Sequence, residues 1–126
     1  GRGVEMNLTE AITWYRQAAK GGHAEAQYVL ASLYDHGEGV EPSENTAVKW
    51  YGEAAAQGVA EAQLILADCY LRGRGVPTDY VMAYIWFNYA ASQGISIADQ
   101  YRIQTERFMS LDQIAQAQEM LRGRAA

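Results

Sequence analysis

The residues in this chain that could react or hold a ligand are few. They are three Gly-x-Gly-Val runs starting at Gly1, Gly37 and Gly73, the histidines His23 and His36, and a single cysteine, Cys69. Glycine-rich runs cradle phosphates where a strand ends and a helix begins, and the dinucleotide fingerprint needs a third glycine in register. Here the third glycine is missing and no strand pattern precedes any run, so each reads as a turn between helices. His36 lies beside Asp35 and Glu38, but both histidines fall in turns, and a metal site would need a third converging ligand. Cys69 stands where an earlier repeat carries Leu33, which makes it a small buried core residue.

Ser43-Glu44-Asn45 and Lys20-Gly21-Gly22 echo fragments of the serine acyl-transfer motifs, yet no Ser-x-x-Lys nucleophile motif occurs anywhere. Ser43 fits a helix N-cap and Lys20 a last-turn lysine. No nucleophile, base and orienting group can be assembled, so neither catalysis nor a cofactor is expected.

Repetition dominates the sequence. Trp14-Tyr15 recurs as Trp50-Tyr51 and Trp86-Phe87, each step being 36 residues. The same offset relates Ala11, Ala47 and Ala83, the pairs Ala18-Ala19, Ala54-Ala55 and Ala90-Ala91, and Gly22, Gly58 and Gly94. Between the first two units it also relates Ala24-Glu25-Ala26-Gln27 to Ala60-Glu61-Ala62-Gln63, Leu30-Ala31 to Leu66-Ala67, and Tyr34 to Tyr70.

Each unit reads as two helices. The first runs from about Leu8 to Lys20, with Ala11, Trp14, Tyr15 and Ala18 on one face at three-and-four spacing. Asn7 is its N-cap with Glu10 as capping-box partner, and Ser43 and Asp79 take the cap position in the later units. A turn at Gly22 leads to a second helix from about Ala24 to His36, ended by Gly37 in a left-handed C-cap. A hairpin of this size cannot bury its apolar face alone and must stack on its neighbours. The expected fold is therefore all-α: a right-handed α/α superhelix of antiparallel helix pairs with a C-terminal capping helix.

The units divide as residues 1–6, the tail of a preceding repeat; 7–42 and 43–78, two complete repeats; 79–109, a divergent third; and 110–126, the cap. In the third unit Arg102 replaces Leu30 and Leu66, Glu106 replaces Tyr34 and Tyr70, and the chain from Ala98 on reads as terminal. Ser110-Leu111-Asp112-Gln113 opens a last helix carrying Ile114, Ala117 and Leu121, polar enough to close a solenoid end. At the other end, either more repeats precede Gly1, or a partner or second copy covers an open face.

Composition narrows the partner class. Of the 126 residues 49% are apolar and 20% charged, which fits a packed domain. The net charge of −5, with scattered basic residues, offers no stripe for nucleic acid and opposes anionic lipid. The most apolar stretch, Tyr80 to Ala91, is too short to cross a bilayer and contains Asn88. One cysteine cannot form an intramolecular disulfide. The chain opens on Gly1-Arg2-Gly3-Val4, so its N-terminus gives no compartment.

The run Ala-x-x-Trp-Tyr-x-x-Ala-Ala-x-x-Gly-x-Ala-x-Ala-Gln-x-x-Leu-Ala-x-x-Tyr-x-x-Gly-x-Gly-Val resembles the Sel-1-like repeat, a relative of the tetratricopeptide repeat. It is complete from Ala11 to Val40 and Ala47 to Val76, and its first half spans Ala83 to Gly94. The resemblance implies a scaffold or adaptor for protein complexes, of a kind common in bacteria. A cysteine-rich branch has penicillin-binding activity, but the single cysteine here departs from that branch and the activity does not carry over.

A partner protein or peptide is then expected on the concave face of the first helices, opposite the tryptophans. That stripe holds Ile12, Thr13, Arg16 and Lys20; then Val48, Lys49, Gly52 and Ala56; then Tyr84, Ile85, Asn88 and Ser92. Arg16, Lys20, Lys49, Tyr84 and Asn88 are its candidate partner-binding residues. The alternative role is architectural, a self-assembling spacer.

Overall fold

The computed structural model describes residues 7–125, with side-chain surroundings through residue 123. Among them are seven helices and no strand: α1 (Leu8–Lys20), α2 (Ala24–His36), α3 (Glu44–Ala56), α4 (Ala60–Arg72), α5 (Tyr80–Ser92), α6 (Ser96–Glu106) and α7 (Leu111–Ala125). The expected tail of a preceding repeat, 1–6, lies outside the described residues.

Local chemistry sets the helix ends. The Asn7 side chain accepts from the Glu10 amide at 2.8 Å, while the Glu10 carboxylate accepts from the Asn7 amide at 3.4 Å. Ser43 and Asp79 accept from the Thr46 and Met82 amides at 3.2 and 3.0 Å. Ser110 and Gln113 form a second reciprocal box. Each such cap satisfies amides that have no partner inside the helix. At the far ends of α2 and α4, Gly37 and Gly73 adopt φ of 70° and 69°, a conformation only glycine adopts at little cost.

The second helix of each pair packs against the first helix of the next, giving a right-handed α/α solenoid. Trp50 packs both on the Ala19, Ala26 and Leu30 cluster of the first pair and on the Tyr51, Ala55 and Leu66 cluster of its own. Trp86 bridges the second and third pairs in the same way. The alanines at these junctions are essentially fully buried, so the helices approach closely with the rings filling the space between layers.

Two expectations about faces require correction. Trp14, expected in the core, is 56% exposed, because no described helix pair lies on its outer side as one does for Trp50. Ile12 and Val48, expected on the open stripe, are buried at 4% and 7% exposure. The loop after each second helix folds back over the first helix of its own unit. Gly39 sits so close that an added Cβ would lie 2.5 Å from Ile12 Cδ1, and one on Gly75 would lie 2.5 Å from the Glu44 carbonyl and 2.7 Å from Val48 Cγ2. The second glycine of the two described runs, Gly39 and Gly75, is thus required by packing.

The last helix caps the C-terminal pair from the side of its first helix. α7 packs chiefly across α5, with Ala117, Met120 and Leu121 against Val81, Tyr84 and Ile85. Ile97 and Ile103 on α6 stay 41% and 51% exposed beside it.

Candidate partner-binding face

Where each first helix ends and turns into the second, the surface carries a recess, and three of these recur at the repeat offset. The first, of about 340 Å³, is lined by Ala19, Lys20, Gly22, Gln27, Lys49, Trp50 and Glu53. The second, about 390 Å³, is lined by Ala55, Ala56, Gly58, Gln63, Trp86 and Tyr89. The third, about 450 Å³, is lined by Asn88, Ala91, Ser92, Ser96 and Asp99. The first two are built by the packing of one unit on the next, with walls from the turn of one unit and the first helix of the following one, whereas the third is formed by α5 and the start of α6 alone.

A ladder of glutamines holds the row in place. Gln27, 3% exposed, donates to the Ala19 carbonyl at 3.1 Å, and Gln63 does the same to Ala55. Gln57 donates to the Gly22 carbonyl at 2.9 Å and to Gln27 Oε1 at 2.8 Å, and Gln93 repeats both bonds on Gly58 and Gln63. These turns therefore have their buried polar groups paired, as an interior position demands. In the third unit Asp99 takes the glutamine position and pairs with Arg102 at 2.8 Å. The sequence reasoning missed this ladder, although Gln57 and Gln93 recur at the repeat offset and could have signalled it.

Three of the five candidate residues line the row: Lys20, Lys49 and Asn88. Lys49 holds its ammonium 4.9 Å from the Trp50 ring centre, a cation–π contact that presents charge at the first recess. Arg16 is exposed but turned aside, donating to the Tyr34 hydroxyl at 3.0 Å. Tyr84 is removed from the surface altogether. It is 2% exposed beneath α7, and its hydroxyl accepts from Arg102 at 3.2 Å, so it is not available to a partner. Gly52 lies open, with nothing within 4 Å of an added Cβ.

The remaining reactive groups are committed to structure. Between the first two pairs, Tyr51 donates to Asp35 at 3.2 Å, and Arg74 donates to the other Asp35 oxygen at 3.3 Å. Burial, then the neighbouring Asp35 charge, raises the Tyr51 hydroxyl well above the usual tyrosine range. Burial pushes the Cys69 thiol up to about 11, with Arg74 only partly offsetting it. A neutral, 2% exposed thiol is a poor nucleophile. His36 points Nδ1 at the Ser32 carbonyl, 2.9 Å away, and His23 sits exposed at the start of α2. Among the described residues no group of three His, Cys, Asp or Glu side chains could hold a metal ion, and no helix is long and apolar enough to cross a membrane.

Known structures share this architecture. A Sel1 repeat protein from Oxalobacter formigenes is 40% identical, with 82% of this chain and 78% of that one covered and a TM-score of 0.77. A protective antigen of uropathogenic Escherichia coli strains, displaying an SLR fold, is 35% identical over 86% of this chain at a TM-score of 0.81. This chain spans only 24% of that antigen's length. Cysteine rich protein B of Helicobacter pylori is 21% identical over 76% of this chain and 72% of its own, with a TM-score of 0.72, a likeness of fold alone. No curated protein sequence matches. The Sel1 repeat family matches residues 1–23, 24–59 and 60–95, the same period as the helix pairs but framed from second helix to first. With the repeat matched over most of its length and the solenoid shared with solved members, the chain belongs to the Sel1 repeat family.

Proposed function

We propose that the chain is a non-catalytic scaffold that binds a protein or peptide segment along the row of recesses. The observation that carries this reading is the recurrence of one recess at both junctions between units, with a third recess at the corresponding turn of the last unit, a periodic surface suited to a periodic ligand. Stacked helices lie roughly 10 Å apart, and an extended peptide covers about 3.3 Å per residue. Successive recesses are one helix pair apart, so a segment reaching two of them spans several residues. Lys20 and Lys49 favour an acidic residue at the first recess, and the Asn88, Ser92 and Ser96 side chains favour a polar one at the third.

The test is capture of partners from the source cell by the wild-type chain and by a Lys20→Glu, Lys49→Glu double variant. Both lysines are exposed, so the variant should keep its fold and lose the captured partner. Unchanged capture by the folded variant would remove the row as the binding face.

A second reading, self-assembly, is favoured by exposed Trp14. With Tyr15, His23, Glu25, Ala26 and Val29 it lines a recess of about 360 Å³ on the first helix pair. Concentration-dependent mass in sedimentation, abolished by Trp14→Ala, would support it.

A further inference from the structure

Apart from the row, α4 and α6 leave between them a cavity of about 350 Å³. Leu64, Ile65 and Leu71 form one wall, buried Phe87 the floor, and Tyr101 with Gln104 the other wall. Asp68 and Arg72 stand at the mouth, joined at 2.8 Å. None of the five candidate partner-binding residues lies here.

The repeat shows what this space is shaped for. At the preceding junction the position of Leu64 is Tyr28, whose ring packs into the core at 6.0 Å from the Tyr51 ring. One repeat later Tyr28 has become Leu64, Asp35 has become Leu71 and Tyr51 has become Phe87. An aromatic ring and two polar groups have left the junction. Tyr101, in the position of Ile65, lies 5.6 Å from Phe87 and is 39% exposed, so it forms a wall of the cavity and does not fill it.

We propose that the cavity between α4 and α6 binds a neutral aromatic ring, a phenol or the side chain of a tyrosine, between Leu64 and Tyr101. Aliphatic walls and the edges of two aromatic rings suit a flat apolar ligand, because rings pack edge-to-face on one another. The volume lies at the lower end for ligand sites, enough for a single substituted ring. Charge selects a neutral one. Asp68 pairs with Arg72 and also lies 3.8 Å from Arg74, which is itself paired with Asp35 and Glu44, so every charge near the mouth already has its counter-charge, while the Gln104 amide can bond to a hydroxyl.

The experiment is titration of the full chain with p-cresol, N-acetyl-tyrosinamide and cyclohexanol, followed by methyl NMR. Saturable shifts confined to Leu64, Ile65 and Leu71 are expected with an aromatic probe, with Kd on the order of 1 mM for a ligand of this size. Cyclohexanol should bind at least tenfold more weakly. A response to p-cresol alone assigns the site to free phenols, and a response to N-acetyl-tyrosinamide assigns it to a peptide tyrosine. Leu64→Tyr, which restores the residue of the preceding junction, should abolish the shifts without lowering the melting temperature. Leu71→Phe serves as a second filling variant should Leu64→Tyr not fold. Absence of saturable shifts, equal binding of cyclohexanol, or persistence of the shifts in a folded filling variant would overturn the proposal.

Discussion

The Gln57 amide donates to Gln27 Oε1 at 2.8 Å across the boundary between two helix pairs, and Gln93 makes the same bond to Gln63 one repeat later. Gln27 and Gln63 are buried in turn against the carbonyls of Ala19 and Ala55. Each glutamine pair is a polar fastener between layers whose other contacts are apolar.

Removing one member takes out two of its bonds. Gln63→Met keeps the volume but removes the hydrogen bonds of Gln63 to the Ala55 carbonyl and the Gln93 amide, each of which keeps one other partner at Gly58. A loss of about 1–3 kcal/mol is expected, two hydrogen bonds at about 0.5–1.5 kcal/mol each. Urea unfolding would check it, and no change in midpoint would mean the ladder contributes nothing net.

The glycines separate by environment. Gly52 is helical with open space around it, so Gly52→Ala should stabilise by about 1 kcal/mol through helix propensity. If a partner backbone approaches there, the same variant weakens binding while raising stability. Gly75→Ala should do the opposite to the fold. Its φ is 76°, and the new Cβ would meet the Glu44 carbonyl, so a loss above about 1 kcal/mol is expected in the same assay.

The tryptophans should differ in spite of their equivalent positions. Trp50→Ala opens a hole between two layers and should cost about 3 kcal/mol. Trp14→Ala, at a side chain 56% exposed, should cost less than about half of that. Equal losses would show that Trp14 is covered in solution, as by a second copy.

Alkaline pH should weaken the fold through Cys69. Its thiol keeps its proton to about 11 when folded, against 9.0 when exposed. Unfolding therefore releases a proton between those values, and stability falls as pH rises through that window, by up to about 3 kcal/mol. Cys69→Ala should flatten the slope between pH 9 and 10. At pH 8 a thiol reagent should label the native chain far more slowly than the denatured one.

Ala117 is fully buried where α7 crosses α5. Ala117→Asp would place a carboxylate against Val81 and Tyr84 and should detach the helix. Faster amide exchange in α5 and a lower melting temperature are expected, with helix content from α1 to α4 retained.

The sequence by itself determined the period, the all-helical class and nearly every helix boundary. Those features depend on bonds within four residues: Asn7 with Glu10, Ser43 with Thr46, and the left-handed turns at Gly37 and Gly73. Such bonds form wherever the residues occur, so pattern alone reveals them. Tertiary structure decided which surface was left for a partner. A helical wheel places Ile12, Val48 and Tyr84 on one stripe but cannot show that a glycine loop covers the first two and α7 the third. The glutamine ladder and the Asp35–Arg74 pair were hidden for the same reason. They join residues 30 and 39 apart, and that proximity exists only once the layers have stacked.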